Sequence, residues 1–296
     1  MLDFQYSLAD DGTGRQMVYP PFVTQQGLDD LSDRFVVRDD DVFIVTYPKA
    51  GTNWMRQILH LLSHQGEQGE QSSRETVPFL EKEACLGNWA ALDYKGERRY
   101  FMSHLSYALM PGVQESNARY IYVARNPKDC ATSLFHFMVS RADLRLQNQW
   151  DDFFAAYVQG DVPYGVWFDH NLEWWQASQT ASHILFVKYE EMQKNLAGVV
   201  EQVAAFIHFP LTPALCDKVV AQSTFSAMAS NSKANWSLNA EPNGSADKHL
   251  RKGVVGDWRN CFSEAQSASY DALYRQTMAG SGLTFEFESA AVLEKA

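Results

Sequence analysis

One stretch constrains this chain more than any other: Thr46-Tyr47-Pro48-Lys49-Ala50-Gly51-Thr52-Asn53-Trp54. It follows Val42-Phe43-Ile44-Val45, short, apolar and β-branched, the pattern of a buried parallel strand. After it, the apolar residues Met55, Ile58, Leu59 and Leu62 recur at helical spacing. The sequence therefore predicts a strand, a tight loop and a helix. Gly51 lets the backbone approach a ligand closely. The N–H groups that open a helix form a ready anion site. Lys49 adds a charge, and Thr52 and Asn53 add side-chain hydrogen bonds. In chemical terms the stretch is a phosphate cradle. It is not a Walker A loop, because its lysine precedes its only glycine instead of following a second one.

The strand–turn–helix pattern returns. Arg119 to Arg125 reads as a strand, Asn126-Pro127-Lys128-Asp129 breaks it, and Cys130 to Arg141 reads as a helix. Ile184-Leu185-Phe186-Val187 is a third buried strand, and Arg99 to His104 a short one that ends in a histidine. Repetition of this unit predicts a parallel sheet with crossover helices. Leu196 to Phe209 reads as an amphipathic helix, and Glu264 to Met278 as the last one. Residues 1–40 are a polar start, while 63–76 and 230–248 read as surface loops, the second of them mobile. The aromatic-rich residues 150–180 read as helical core and pocket wall. No repeat or linker divides the chain, so the expectation is one domain over 1–296 with its core at about 20–280.

Composition excludes several classes. The net charge is −11, and a general polyanion binder is usually basic, so nucleic acid is not an expected partner. Cys85, Cys130, Cys216 and Cys261 have neither zinc-knuckle nor Cys-x-x-Cys spacing. No carboxylate cluster calls for a metal. Neither a signal peptide nor a membrane span is read, which points to the cytoplasm.

Taken together, the motifs resemble those of the cytosolic sulfotransferases. These use 3′-phosphoadenosine 5′-phosphosulfate (PAPS) as sulfuryl donor and release 3′-phosphoadenosine 5′-phosphate (PAP). The order Tyr47-Pro48-Lys49-x-Gly51-Thr52-x-Trp54 resembles their 5′-phosphosulfate loop. Tyr122 to Ser133 resembles their 3′-phosphate motif, and Arg251-Lys252-Gly253 a second piece of it near the carboxyl terminus. The resemblance covers about residues 20 to 280. It implies an α/β fold, a central parallel sheet flanked by helices, with the donor at the strands' carboxyl ends. It also implies roles for residues. Lys49, Ala50, Gly51, Thr52 and Asn53 would hold the 5′-phosphosulfate, and Arg125, Ser133, Arg251, Lys252 and Gly253 the 3′-phosphate. Trp54 and Phe225 would stack on adenine, Tyr189 would contact it, and Ser223 and Met228 would flank it. Stacking of this kind contributes about 1–3 kcal/mol per base. His104 would take the acceptor proton, as a histidine near neutrality suits, with Lys49 stabilising the leaving phosphate. Phe79 and Phe137 would line the acceptor pocket, though Phe79 is equally readable as core.

The chain departs from the family pattern in places. Met102 stands where the family has a lysine two residues before the histidine, Ser106 replaces a proline, and Asn53 replaces a threonine. The family's dimerisation motif is degraded over Arg259 to Ala268, which leaves monomer and homodimer both open. The expected activity is sulfuryl transfer to a hydroxyl or amine of a small-molecule acceptor. Two alternatives stand beside it: a non-catalytic PAPS-fold binding protein, and a P-loop nucleotide kinase. Against the kinase, this chain lacks the Gly-Lys-Ser/Thr order, and its second strand ends in Arg125 instead of a magnesium-binding aspartate.

Overall fold

The computed structural model describes residues 5–93, 98–141, 149–235 and 250–288. β1 (Ser7–Asp10) and β2 (Gln16–Tyr19) pair as an antiparallel hairpin ahead of α1 (Gln25–Arg34). β3 (Val42–Thr46) runs through the lysine–glycine loop into α2 (Thr52–Ser63). Three short helices, α3 (Ser73–Thr76), α4 (Leu80–Cys85) and α5 (Trp89–Leu92), precede β4 (Tyr100–Ser103). β5 (Arg119–Ala124) feeds α6 (Pro127–Ser140), and α7 (Trp150–Gln159) and α8 (Trp167–Ser178) follow. β6 (Ile184–Lys188) leads into α9 (Tyr189–Lys194), α10 (Leu196–Phe206), α11 (Pro213–Ser223) and α12 (Phe225–Ser230). A 3-10 turn at Asp257–Asn260 comes before α13 (Glu264–Met278).

Four strands form a parallel sheet in the order β4-β3-β5-β6. Ile44 pairs with Met102 on one side and with Ile121 on the other. All five residues of β3 are buried, which is why it reads as a continuous apolar run. Its side chains still alternate. Val42 and Ile44 join the core under α2, α10 and α11, while Phe43 and Val45 join the core on the opposite face with Phe101, Tyr120 and Tyr122. Phe43 stacks on Tyr120 with ring centroids 4.9 Å apart. The chain leaves β3 for β4 on one side and returns to β5 on the other. The strand order thus reverses between β3 and β5, and the crevice at their carboxyl ends is where such sheets take ligands.

Several elements differ from the sequence expectation. α10 ends at Phe206 instead of 209. His208 adopts a left-handed φ of 54°, and the Phe209 N–H returns to the Ala204 carbonyl, the hydrogen bond of a Schellman stop. Asn126 to Asp129 does not merely break β5. Asn126 caps α6 through the Asp129 N–H, and Pro127 starts the helix. The polar start holds the β1–β2 hairpin and α1, and the 63–76 loop ends in α3, capped reciprocally by Ser72 and Glu75. Of the 230–248 loop, 236–248 lies outside the described residues. No helix among the described residues is long and apolar enough to cross a membrane.

The sheet's amino-terminal edge is held by a buried ion pair. Arg99 donates through Nε and Nη2 to both Asp41 oxygens, at 2.8 and 2.5 Å, and to the carbonyls of Leu92 and Val36. Replacing Arg99 with Leu leaves the Asp41 carboxylate buried without its partner. The expected loss is about 3–5 kcal/mol of unfolding free energy in urea titration, and a loss below about 1 kcal/mol would show that this pair does not fix the edge.

Candidate active site

A cavity of about 670 Å³ opens at the carboxyl ends of the strands. Its centre is the turn between β3 and α2. Lys49 takes a left-handed φ of 73°, unusual for a side-chain-bearing residue, and Gly51 follows at φ 118°. Gly51 is the N-cap of α2 and offers no side chain to it. The first N–H groups of α2 therefore have no side-chain cap, at the end of a helix that favours anions. A Cβ on Gly51 would sit 3.0 Å from the Tyr189 ring. Lys49 lays its ammonium 4.2 Å from the centroid of Phe137. Gly51, Thr52, Asn53 and Trp54 line the cavity. Ala50 does not, because its methyl is buried in the core and its N–H bonds to the Tyr47 carbonyl.

Arg125, just past β5, reaches the same cavity. Its guanidinium lies 4.3 Å from the Tyr189 ring centroid and donates to the carbonyls of Lys49 and Val254. Asp129, one turn into α6, is 3.7 Å away. The second oxygen shell of this cluster comes from far along the chain. Asp129 accepts from the backbone N–H groups of Gly256 and Trp258, at 2.9 and 3.0 Å. Asp257 accepts from Arg251 and Lys252, which lowers its pKa against the opposing effect of burial. Arg251, Lys252 and Gly253 thereby line the cavity beside Arg125 and Ser133. Gly253, at φ 66°, lies so close to Phe225 that a Cβ would come within 2.2 Å of its ring.

Trp54, Tyr189, Phe225, Ser223 and Met228 line this end of the cavity. Trp54 meets Tyr189 edge-on at 5.3 Å. Four buried polar atoms here find no partner among the described residues: Arg125 Nε, Arg251 Nε, Ser223 Oγ and Trp54 Nε1. Native interiors rarely leave such atoms unsatisfied, so their concentration in one lining marks a place for an oxygen-rich, flat ligand.

His104 stands at the end of β4, its ring between Phe79 and Tyr164 at 5.3 and 5.2 Å. Its Nδ1 lies 2.8 Å from the Thr46 carbonyl. A carbonyl only accepts, so the proton sits on Nδ1 and Nε2 carries the lone pair. Burial, with the charges of Arg56 and Lys49, presses the imidazole pKa down to about 3, against the pull of the Thr46 hydrogen bond. The ring is neutral with its free lone pair on Nε2, and its pKa lies well below the near-neutral value expected from the sequence, because burial disfavours the imidazolium. Thr46 Oγ1 also contacts both Nδ1 and Thr52 Oγ1, at 3.1 and 2.7 Å, which couples the histidine to the loop.

Sequence reasoning missed the groups that hold His104 in place. Its backbone N–H donates to Glu81 at 2.8 Å, and its carbonyl accepts from His170 Nε2 at 2.9 Å. Tyr122 donates to the other ring nitrogen of His170. Tyr164 also donates to Glu81.

The candidate residues thus converge, with the exception of the Ala50 side chain. Phe79 and Phe137 both line the cavity, Phe79 against His104 and Phe137 against Lys49. Among the described residues no group of histidines, cysteines and carboxylates is placed to hold a metal.

Comparison with known proteins gives a consistent picture. The sulfotransferase domain family matches residues 39–282. Human Sulfotransferase 2B1 is 38% identical over 253 residues, 82% of this chain and 67% of that protein. Human Sulfotransferase 2A1 is 35% identical over 256 residues, 84% of this chain and 88% of that protein. The crystal structure of mouse sulfotransferase SULT7A1 complexed with PAP superposes with a TM-score of 0.77 at 29% identity, covering 91% of this chain and 95% of that one.

Burial raises the Glu81 pKa to about 7, against the hydrogen bonds it accepts. A raised carboxyl pKa means the folded state holds a proton that the unfolded chain has already lost. The contribution is fully present below the ordinary pKa of about 4.5 and is lost as pH rises through about 7. Replacing Glu81 with Gln removes that slope. The variant should gain on the wild type by on the order of 1–3 kcal/mol between about pH 5 and pH 8, measured as the difference in urea midpoints. A pH-independent difference would place the carboxyl outside the buried site.

Proposed function

The chain belongs to the sulfotransferase domain family, and on that footing we propose how its own residues carry sulfuryl transfer from PAPS to a small-molecule acceptor. The observation that carries the reading is the convergence of three cationic motifs and one neutral histidine on a single cavity. The unsatisfied lining atoms of Arg125, Arg251, Ser223 and Trp54 fit a nucleotide bearing an extra phosphate.

When bound, PAPS supplies the sulfuryl group: the acceptor oxygen or nitrogen bonds to sulfur as the bond from sulfur to the 5′-phosphate oxygen breaks, and that electron pair leaves with PAP. The α2 amino terminus with Thr52 and Asn53 holds the 5′-phosphate. Lys49 and those N–H groups stabilise the charge that builds on the departing oxygen, an electrostatic task already organised before binding. Arg125, Ser133, Arg251, Lys252 and Gly253 hold the 3′-phosphate. Trp54 and Phe225 enclose the base, with Tyr189 beneath the Arg125 guanidinium. His104 Nε2 takes the acceptor's proton, and Nδ1–H stays with the Thr46 carbonyl so that the ring keeps its orientation through the transfer.

Two measurements test this. Calorimetric titration should show PAP binding tighter than AMP by about 2 kcal/mol or more, the worth of charge-assisted hydrogen bonds to the 3′-phosphate. Equal affinity for PAP, AMP and ATP would overturn the assignment of Arg125 and Arg251. Replacing His104 with Ala should lower kcat by at least ~100-fold while PAP affinity is kept. Unchanged turnover would remove His104 from the proton transfer, and absence of turnover in the unmodified chain would favour a binding protein.

A further inference from the structure

Behind the cavity, one side chain reaches three neighbouring strands near their carboxyl ends. His170 lies in α8, is 3% exposed and does not line the cavity itself. Its Nε2 is 2.9 Å from the carbonyl of His104, the residue after β4. Its Nδ1 is 2.8 Å from the hydroxyl of Tyr122 in β5. Between these two, Tyr47, the residue after β3, meets the His170 ring edge-on with centroids 5.7 Å apart. The strand order β4-β3-β5 sets the three contacts side by side. The Tyr47 hydroxyl also donates to the Gly165 carbonyl just ahead of α8, at 3.0 Å. The turn that carries Lys49 and the helix that carries His170 are thereby tied at two points.

These contacts are directional. A carbonyl only accepts, so the His170 proton is on Nε2, and Nδ1 is left to accept from Tyr122. Burial keeps the ring neutral, with its pKa pressed down to about 4. A neutral imidazole has one donor and one acceptor, and both are used here. The carbonyl it serves belongs to the residue that takes the acceptor's proton, and Tyr47 stands two residues before Lys49. Proton transfer needs the accepting atom within hydrogen-bond reach, and a misplacement of about 1 Å costs on the order of 100-fold in rate.

We propose that His170 is a positioning residue for the transfer: braced on Tyr122 and Tyr47, it donates to the His104 carbonyl and so sets His104 Nε2 against the Lys49 loop. It touches neither substrate and acts only through His104. The inference rests on the sulfuryl-transfer reading above and adds a residue to it.

The test compares His170→Gln with His170→Asn. The Gln amide nitrogen reaches the place of Nε2 and can donate to the His104 carbonyl. The shorter Asn amide reaches only the place of Nδ1 and meets Tyr122 alone. PAP binding at the affinity of the unmodified chain shows that each variant is folded. Turnover is read with PAPS and with para-cresol, decanol and benzylamine as acceptor probes. His170→Asn should lose about ten-fold or more in kcat with KM for PAPS unchanged, and His170→Gln should recover most of that loss. In the His104→Ala background His170→Asn should cost nothing further, because the side chain it positions is gone. A second readout needs no turnover. In proton–nitrogen spectra of the histidine side chains in the PAP complex, His104 should be a single Nδ1–H tautomer in the unmodified chain and in His170→Gln, and broadened or mixed in His170→Asn. Equal kcat in the Asn and Gln variants, an undiminished loss from Asn in the His104→Ala background, or an unaltered His104 spectrum in the Asn variant overturns the inference. Loss of PAP binding in the Asn variant assigns His170 to the fold at large and overturns it as well. Absence of turnover in the unmodified chain overturns the transfer reading beneath, and the spectrum then still decides whether His170 holds His104.

Discussion

One buried carboxylate holds the Arg125 half of this cavity together. Asp129 is 1% exposed, and it meets groups from three places: the Arg125 guanidinium, the Asn126 side chain, and the backbone N–H groups of Gly256 and Trp258. Alone in the interior such a charge would be prohibitive, and here each oxygen is satisfied. The consequence is geometric. A turn near the start of α6 is pinned to a segment more than a hundred residues later, and Arg251, Lys252 and Gly253 are carried with it to the mouth of the sheet. Lys128 completes the clasp from the same turn, with its ammonium 2.6 Å from Asp271 on α13 and 4.2 Å from the Trp258 ring.

The other half is organised by backbone hydrogen bonds to a single residue. His104 is gripped at its N–H by Glu81, at its carbonyl by His170, and at Nδ1 by the Thr46 carbonyl. The last of these ties the histidine to the strand that leads into the Lys49 loop. The Lys49 loop and His104 are therefore set by β3 and β4, whose register fixes Ile44 opposite Met102. Parallel pairing makes this natural, since both strands deliver their next residues to the same edge.

What was legible in the sequence follows from this division. The Lys49 loop, the Arg125 turn and the Arg251 segment are local patterns, and each appears where the pattern put it. Glu81 and His170 were not legible, because their partners lie across the fold: His170 meets a carbonyl 66 residues away, and no periodicity announces such a contact. Asp129 was visible only as part of a strand-breaking stretch, although it joins Arg125 to the backbone of Gly256 and Trp258. Ala50 differs from its neighbours in the loop. It sits inside the motif, yet the left-handed turn at Lys49 sends its methyl into the core and its N–H to Tyr47.

An acidic chain that binds a polyanion looks contradictory until the charges are placed. Around the donor end, Lys49, Arg125, Arg251 and Lys252 are four cations, and Asp129 and Asp257 are the two carboxylates that position them. Each carboxylate serves more than one donor, so pairing fixes the cations without neutralising them. The local sign is positive inside a molecule of net charge −11. Short-range organisation prevails because screening at physiological salt confines surface charges to about 8 Å, while buried groups at the cavity wall are screened much less. Buried aspartates thus order the cations around Arg125, and the rest of the cavity lining is largely apolar.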